Sequence, residues 1–173
     1  ASPTFLNLIL LSEAHKKHDT SSLRLITYGT EPMPESVLLR LKEAFPRVKM
    51  LQTFGTSETG IAQISSKSST SNLIRFDDPN YEFKIVDKEL WLRSKTQVSG
   101  YLNSSNDRFT QEGWFMTGDI VEEYKDGYMR IIGRNSDLIN VGGLKVLPSE
   151  VESFLIQIPI IADCMVFSEP HPI

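Results

Sequence analysis

The chain of 173 residues carries 18 lysine and arginine residues against 22 aspartate and glutamate residues, a formal charge of −4, and 40% of its residues are hydrophobic. This composition is typical of a globular protein and excludes a disordered one. The acidic balance and the lack of a dense basic cluster argue against binding to nucleic acid. The longest apolar stretch near the start, Phe5 to Leu11, is too short to cross a bilayer and has no signal-peptide flanks.

A lone cysteine, Cys164, cannot close an internal disulfide, and its apolar neighbours predict a buried strand in a reducing compartment. We therefore expect a cytoplasmic protein without a transmembrane segment that acts on small molecules.

The first 60 residues show an α/β pattern. Apolar residues at helical spacing alternate with short runs rich in strand-forming residues, and each of these runs stops at a glycine, Gly29 or Gly55. The pattern predicts helices over 4–16 and 34–45 and strands over 23–28 and 48–54. In sheets of this kind ligands bind at the carboxyl ends of the strands.

From residue 61 to residue 132 the pattern changes to short apolar runs separated by serine, asparagine, aspartate and glycine. It predicts an antiparallel, barrel-like β subdomain with hairpin turns at Asp87-Lys88 and Asp126-Gly127. The polar segment 65–72 predicts a mobile loop. The predicted strands are 61–65, 81–86, 89–92, 119–124 and 128–132.

The last part of the chain mixes strands and a helix. Strands are predicted on either side of Gly142-Gly143, over 138–141 and 144–147, and Pro148 opens a helix that Pro159 ends. A last strand is predicted over 162–167, with Cys164 in its middle.

A glycine-flanked polar segment follows the second predicted strand. Gly55 permits close backbone approach, Phe54 presents a flat face, and the hydroxyl groups together with Glu58 could bind phosphate oxygens and a divalent cation. A polar turn without ligand is the alternative interpretation.

Three later segments have the same ambiguity. Asp119 follows a glycine and is either a turn residue or a carboxylate for a ribose diol. Arg134 is either a surface arginine or a contact for phosphate or ribose. The Gly142-Gly143 pair is either a hairpin turn or a backbone shaped for a ligand to pass.

In their order and spacing these segments resemble the adenylate-forming superfamily of acyl-CoA synthetases, adenylation domains and luciferases. Enzymes of that superfamily activate a carboxylic acid with ATP and Mg²⁺ to an acyl adenylate and then transfer the acyl group to a thiol such as CoA. The resemblance covers essentially the whole chain. It rests on the segments 28–34, 54–58, 117–119 and 133–150.

The resemblance implies roles for the matching residues. Phe54 would stack on adenine, where tyrosine is more common, and Asp119 would bind the ribose hydroxyls with Arg134 nearby. Ser57, in place of the usual threonine, would donate to the α-phosphate, and Glu58 would bind magnesium; these two are the expected catalytic residues. The remaining positions would line the adenine and acyl pockets through their backbone or allow its close approach: Gly29, Thr30, Glu31 and Gly55.

The resemblance also implies a division of the chain. Residues 1–60 would end the sheet of a large N-terminal domain, 61–132 would form its β subdomain, 133–137 a hinge, and 138–173 the start of a small α+β domain. Gly143 would contact the pantetheine arm of CoA. The hinge position, normally aspartate or lysine, is Ser136 here, and Asp137 follows it.

Two elements of the superfamily's chemistry do not occur in this sequence. The phosphate-binding loop would lie before residue 1 and the catalytic lysine after residue 173, so we expect a fragment without substantial ligase activity. Segment 138–152 resembles acyl-CoA ligases more than the adenylation domains of peptide synthetases. The alternatives are an adenylation domain that loads the phosphopantetheine of a carrier protein and a nucleotide-binding module that has lost catalysis.

Overall fold

A computed structural model describes residues 1–169. Its first part contains a two-stranded parallel sheet of β1 (Leu25–Tyr28) and β2 (Lys49–Gln52), in which Tyr28 pairs with Gln52. Because the strands are parallel, their carboxyl ends meet at one edge. Three helices accompany the sheet: α1 (Pro3–Leu11), α2 (Ala14–Lys17) and α3 (Glu35–Ala44).

Apolar side chains of α1, α3 and the two strands form the first core, which includes Leu6, Tyr28, Leu38, Leu41 and Met50. The single helix predicted over 4–16 is wrong in one respect. Glu13 has a left-handed backbone, φ 53°, and therefore interrupts the helix between α1 and α2.

The second part confirms the predicted antiparallel architecture. A hairpin of β3 (Phe54–Thr56) and β4 (Gly60–Ala62) leads into a curled six-stranded sheet with the strand order β5-β6-β10-β9-β8-β7. A second core lies against it and contains Phe54, Ile74, Leu90, Leu92, Val121 and Met129. The strands are β5 (Ile64–Ser66), β6 (Ile74–Phe76), β7 (Tyr81–Val86), β8 (Glu89–Ser94), β9 (Phe115–Glu123) and β10 (Met129–Arg134).

Three strand predictions in this part need correction. The run 61–65 is divided between β4 and β5, β6 is not among the predicted strands, and β9 begins four residues before the predicted start at Asp119. The last difference arises at Gly118, since the sequence leaves the following Asp119 open as a turn residue at the start of a strand. Gly118 lies inside β9 with a left-handed backbone, φ 77°.

The serine-rich segment predicted as a loop covers the free edge of β2. Ser66 Oγ accepts a hydrogen bond from the backbone N–H of Gln52 at 3.2 Å, and Ser69 Oγ accepts one from Met50 at 3.3 Å. Serine side chains therefore take the place of a neighbouring strand at this edge.

The third part contains a hairpin of β11 (Ile139–Val141) and β12 (Leu144–Val146), followed by α4 (Pro148–Leu155). Helix α4 is docked through Ser149, whose hydroxyl donates to the carbonyl of Ile132 at 2.5 Å. At Gly133 a Cβ atom would lie 2.9 Å from Leu147 Cδ2, so any larger residue would require the Leu147 side chain to shift.

The strand predicted over 162–167 is wrong. The segment has no regular structure, Cys164 is half-buried, and the side chains of Met165 and Phe167 are 77% and 70% exposed. An apolar run becomes a strand only beside a partner, and no strand within residues 1–169 pairs with it. The last four residues of the predicted domain 138–173 lie outside the described part. Among the described helices, none has the length and apolarity that a membrane crossing requires.

Candidate nucleotide site

A cleft of about 390 Å³ lies where the carboxyl ends of β1 and β2 face β9, β10 and the start of α4. Several residues predicted for the site line it together, although they come from distant parts of the chain: Gly29, Thr30, Glu31, Phe54, Gly55, Asp119 and Arg134. No individual role was predicted for other residues of its wall, among them Pro32, Gln52, Thr53, Ile131, Leu147, Ser149 and Glu152.

The loops that follow β1 and β2 are tightly joined. The backbone N–H of Thr53 donates to the carbonyl of Tyr28 at 2.7 Å, and a Cβ atom at Gly29 would lie 2.7 Å from the Thr53 carbonyl oxygen. Thr30 has φ 74°, an uncommon conformation for a β-branched residue. Such backbone conformations persist where surrounding contacts impose them, and they concentrate at functional sites.

Glu31 has a structural role in addition to its place in the wall. Its Oε2 accepts hydrogen bonds from the backbone N–H of Thr4 at 3.1 Å and from the Thr4 hydroxyl at 2.5 Å. The carboxylate thus satisfies a free N–H group in the first turn of α1 and complements the positive end of the helix.

Phe54 forms an aromatic wall of the cleft. The side chain is 8% exposed, and its edge packs against Phe76 with ring centroids 5.6 Å apart and an interplanar angle of 81°. At the next residue, Gly55, a Cβ atom would lie 2.8 Å from the carbonyl oxygen of Gly60. The hairpin can therefore close only with glycine here, and this closure fixes the position of the ring.

Asp119 and Arg134 form the polar part of the cleft. The two residues pair across β9 and β10, and Arg134 Nε donates to Asp119 Oδ1 at 3.2 Å. Burial raises the pKa of Asp119 above its usual value, and the charge and hydrogen bond of Arg134 act against this. The Asp119 side chain is 8% exposed and that of Arg134 58%, so the cation is still accessible to a ligand.

Gln52 adds an acceptor that lacks a partner. Its side chain is 7% exposed, and within residues 1–169 no group donates to its buried Oε1. Buried polar atoms are rarely left without a hydrogen bond. This atom and the Asp119 carboxylate suit the amino and hydroxyl donors of a nucleoside. Gln52 could have been predicted as a site residue from the sequence, because it lies at the carboxyl end of a parallel strand.

Ser57 and Glu58 lie on the turn between β3 and β4, outside the residues that line the cleft. Glu58 Oε1 accepts a hydrogen bond from the Tyr101 hydroxyl at 2.5 Å. Burial acts to raise the pKa of Glu58, but hydrogen bonds, above all from Tyr101, and the charge of Arg108 outweigh it and hold this pKa below the usual value.

The turn itself is anchored to the sheet. The carbonyl oxygen of Thr59 accepts hydrogen bonds from Tyr81 Oη at 2.5 Å, Thr96 Oγ1 at 2.9 Å and Ser94 Oγ at 3.2 Å. Three donors on one carbonyl exceed its two lone pairs, so the donors share them. The neighbouring Glu58 is therefore held on a fixed backbone.

A magnesium ion would find one carboxylate at this turn. Among residues 1–169 no group of three or more histidine, cysteine, aspartate or glutamate side chains could hold a metal ion. Mg²⁺ keeps several water ligands and is commonly bound through one or two carboxylates together with phosphate groups of the substrate. Glu58 fits this pattern as a protein ligand to an ion that arrives with a nucleotide.

The two positions predicted for the second domain also lie outside the cleft wall. Ser136 is exposed in a 3-10 turn over Asn135–Asp137, where its hydroxyl donates to Asp137 Oδ1 at 2.9 Å. Gly142 and Gly143 have φ 57° and 89°, as expected in a two-residue hairpin turn, and a Cβ atom at either would meet nothing within 4 Å. The backbone of the turn explains both glycines.

Comparison with known proteins agrees with the chemistry of the cleft. Residues 1–103 match the family described as AMP-binding enzyme. The chain is 33% identical to 4-coumarate--CoA ligase-like 2 of Arabidopsis thaliana, over 92% of this chain and 32% of that protein. The chain therefore belongs to the AMP-binding enzyme family.

Solved structures give the same result for the fold. The structure of the anthranilate CoA ligase AuaEII in complex with anthranoyl-AMP has a TM-score of 0.77 and 29% identity and covers 96% of this chain. The amide bond synthetase McbA from Marinactinospora thermotolerans has a TM-score of 0.80 and 26% identity and covers 99% of this chain. This chain covers 35% and 39% of those two chains, and thus spans about a third of the length of the relatives it matches.

Proposed function

We propose that this chain provides the nucleotide cleft of an enzyme that activates a carboxylic acid with ATP to an acyl adenylate and transfers the acyl group to CoA. The observation that carries the proposal is the Asp119–Arg134 pair, which lies in one cleft with the ring of Phe54 and the left-handed turn at Thr30. Two relatives support it. The Arabidopsis protein is named as a CoA ligase-like protein, and the AuaEII ligase was solved in complex with anthranoyl-AMP.

The geometry suggests how each residue would act. Phe54 and the turn at Gly29–Glu31 hold a planar base between them, while Gln52 Oε1 accepts from its amino group. Asp119 accepts hydrogen bonds from the two ribose hydroxyls. Because the carboxylate is already removed from water, little further desolvation opposes binding.

The phosphate chemistry would be placed at the turn after β3. ATP bound with Mg²⁺ supplies an electrophilic phosphorus atom and a pyrophosphate leaving group. Ser57 donates a hydrogen bond to a phosphate oxygen, Glu58 provides a carboxylate for the ion, and Arg134 adds positive charge where the α-phosphate joins the ribose. Gly143 as the contact for pantetheine and Ser136 as the hinge remain part of this proposal, as does a cytoplasmic location.

AMP binding to the chain tests the proposal. Isothermal titration calorimetry of the wild type should show saturable binding of AMP, and Asp119→Ala should weaken it about tenfold or more, since hydrogen bonds to a charged group are lost. Asp107→Ala, which removes an exposed loop carboxylate, serves as the matched control and should bind like the wild type. Equal affinities for all three proteins, or no binding by the wild type, would contradict the proposal.

A further inference from the structure

Arg108 lies outside the cleft, but it binds the strand that carries Asp119. Its Nε donates to the carbonyl of Met116 at 2.9 Å, and its Nη2 donates to the carbonyl of Thr117. In return, the backbone N–H of Met116 donates to the Arg108 carbonyl at 2.9 Å. A planar guanidinium thus holds two successive carbonyl groups just before the Gly118-Asp119 step.

Gly118 makes room for this arrangement. Its φ is +77°, and a Cβ atom there would lie 2.9 Å from Arg108 Nη2. On the other side of the strand its N–H donates to Glu89 Oε1 at 2.8 Å. Glycine adopts this backbone easily but also leaves it readily, so the direction of the following residue depends on the contacts that hold the peptide.

Aromatic side chains support the guanidinium. The guanidinium carbon lies 5.1 Å from the ring centroid of Phe115, and the ring of the adjacent Phe109 packs on Phe115 at 5.0 Å. Phe109 in turn contacts Tyr101 at 5.4 Å, and Tyr101 is the residue that donates to Glu58. The segment with Arg108 therefore connects the turn after β3 with strand β9.

The charge of Arg108 also acts on Asp119. Burial is the largest effect and raises the pKa of Asp119; Arg134 and Thr117 oppose it most, and the positive charge of Arg108 adds the smallest opposing effect. The hydrogen bonds of Arg108 go to the backbone, so its main action on Asp119 is through the strand.

We propose that Arg108 is a positioning residue of the nucleotide site, because its fork fixes the Thr117-Gly118 peptide and so the direction in which the Asp119 carboxylate meets the ribose hydroxyls. The inference rests on the proposed function of the cleft. It predicts a specific defect: without the fork, the chain loses recognition of the ribose diol but keeps its affinity for the base.

The test compares adenosine with 2′,3′-dideoxyadenosine, which lacks both hydroxyls. Wild-type protein should bind adenosine more tightly, and Arg108→Gln should lower the adenosine affinity about tenfold without changing the affinity for the dideoxy compound. Arg93→Gln is the matched control. It removes an arginine that pairs with Glu82 and stacks on Trp114, 4.7 Å from the ring centroid, on the sheet outside the cleft. This control should keep the wild-type preference.

Arg108→Lys is the second variant, and it replaces Arg108→Gln in the binding comparison if Arg108→Gln does not fold. It keeps the charge but cannot hold two carbonyl groups with one planar fork, so only part of the preference for adenosine should remain. The inference alone would be overturned if either Arg108 variant kept the full wild-type preference for adenosine. It would also be overturned if the affinities for adenosine and for the dideoxy compound fell by the same factor. Failure of the wild-type chain to bind either compound would instead overturn the proposed function, and the inference with it.

Discussion

At the scale of single residues, the buried side chain of Asp119 is paired with an arginine that is exposed to solvent. The carboxylate is held at 3.2 Å by Arg134, whose side chain is 58% exposed. A pair with one exposed member gives limited stability, because water screens the cation. The pair with Arg134 therefore adds little to the stability of the fold, and the proposed role of Asp119 in binding the ribose hydroxyls would give its burial a function.

Titration of the Asp119 carboxylate should make the stability of the chain depend on pH. Burial raises the pKa of Asp119 above the usual 3.8, so the folded chain binds its proton more tightly than the unfolded chain does. The stabilisation is present below the unfolded pKa and is lost as the pH rises through the folded pKa. Relative to Asp119→Asn, the wild type should lose free energy of unfolding as the pH rises from about 4, the ordinary pKa of an aspartate, through the higher folded pKa.

Urea unfolding of both proteins across this range measures the effect. The difference in free energy of unfolding between wild type and variant is the relevant quantity, because the other carboxylates titrate in both proteins. A difference for Asp119→Asn that stays constant with pH would show that burial does not govern this group.

At the scale of elements, the free edge of β2 is closed by side chains. Met50 and Gln52 are buried, and their N–H groups on the side away from β1 donate to Ser69 and Ser66. Because β2 ends at the cleft, the hydroxyls that hold its edge also hold Gln52 in the wall.

Ser66→Ala and Ser69→Ala should each destabilise the chain. Either substitution leaves a backbone N–H without its acceptor in a buried setting, at a cost of about 1–3 kcal/mol. Ser68→Ala is the matched control, since the Ser68 hydroxyl contacts the exposed segment only, through Thr70. It should change stability by less than about 0.5 kcal/mol. Urea unfolding gives the energies, and hydrogen exchange at Met50 and Gln52 should accelerate only in the first two variants.

At the scale of the whole molecule, the cleft joins three parts of the chain. The parallel pair, the β9–β10 ladder and the start of α4 each provide a wall. The described cations near the Asp119 carboxylate are Arg134 and Arg108. Transfer of a phosphoryl group requires converging positive charge on its oxygens.

We therefore predict that the 173-residue chain alone does not release pyrophosphate from ATP with Mg²⁺ and a panel of carboxylic acids, because the positive charge that the described residues place near Asp119 comes from Arg134 and Arg108. A coupled pyrophosphate assay checks this, and AMP binding in the same preparation shows that the cleft is formed. Sustained pyrophosphate release that depends on the acid would contradict the prediction. The control is Asp119→Ala, which should lose AMP binding and also stay inactive.

Much of the architecture could be predicted because it depends on local patterns. The hairpin at Asp87-Lys88 has left-handed backbones at both positions, as the turn residues indicate, and β7 has the predicted limits Tyr81–Val86. The failures have a common cause in tertiary contacts. The strand predicted from Asp119 begins at Phe115 instead, because the sheet accommodates the left-handed backbone of Gly118, φ 77°. The run 162–167 looked like a strand but lacks a partner among the described residues.

The sequence by itself determined the α/β character of the first part, the antiparallel middle part and the residue types from which the family can be recognised, because periodicity and turn chemistry act over a few neighbours. Only the tertiary structure decided which of the predicted site residues meet in one cleft: Asp119 and Arg134 do, whereas Ser57, Glu58, Ser136 and Gly143 lie outside its wall. It also brought in Gln52 and Arg108. Their roles depend on burial and on hydrogen bonds to backbone groups, and these arise from the packing of segments that no local pattern connects.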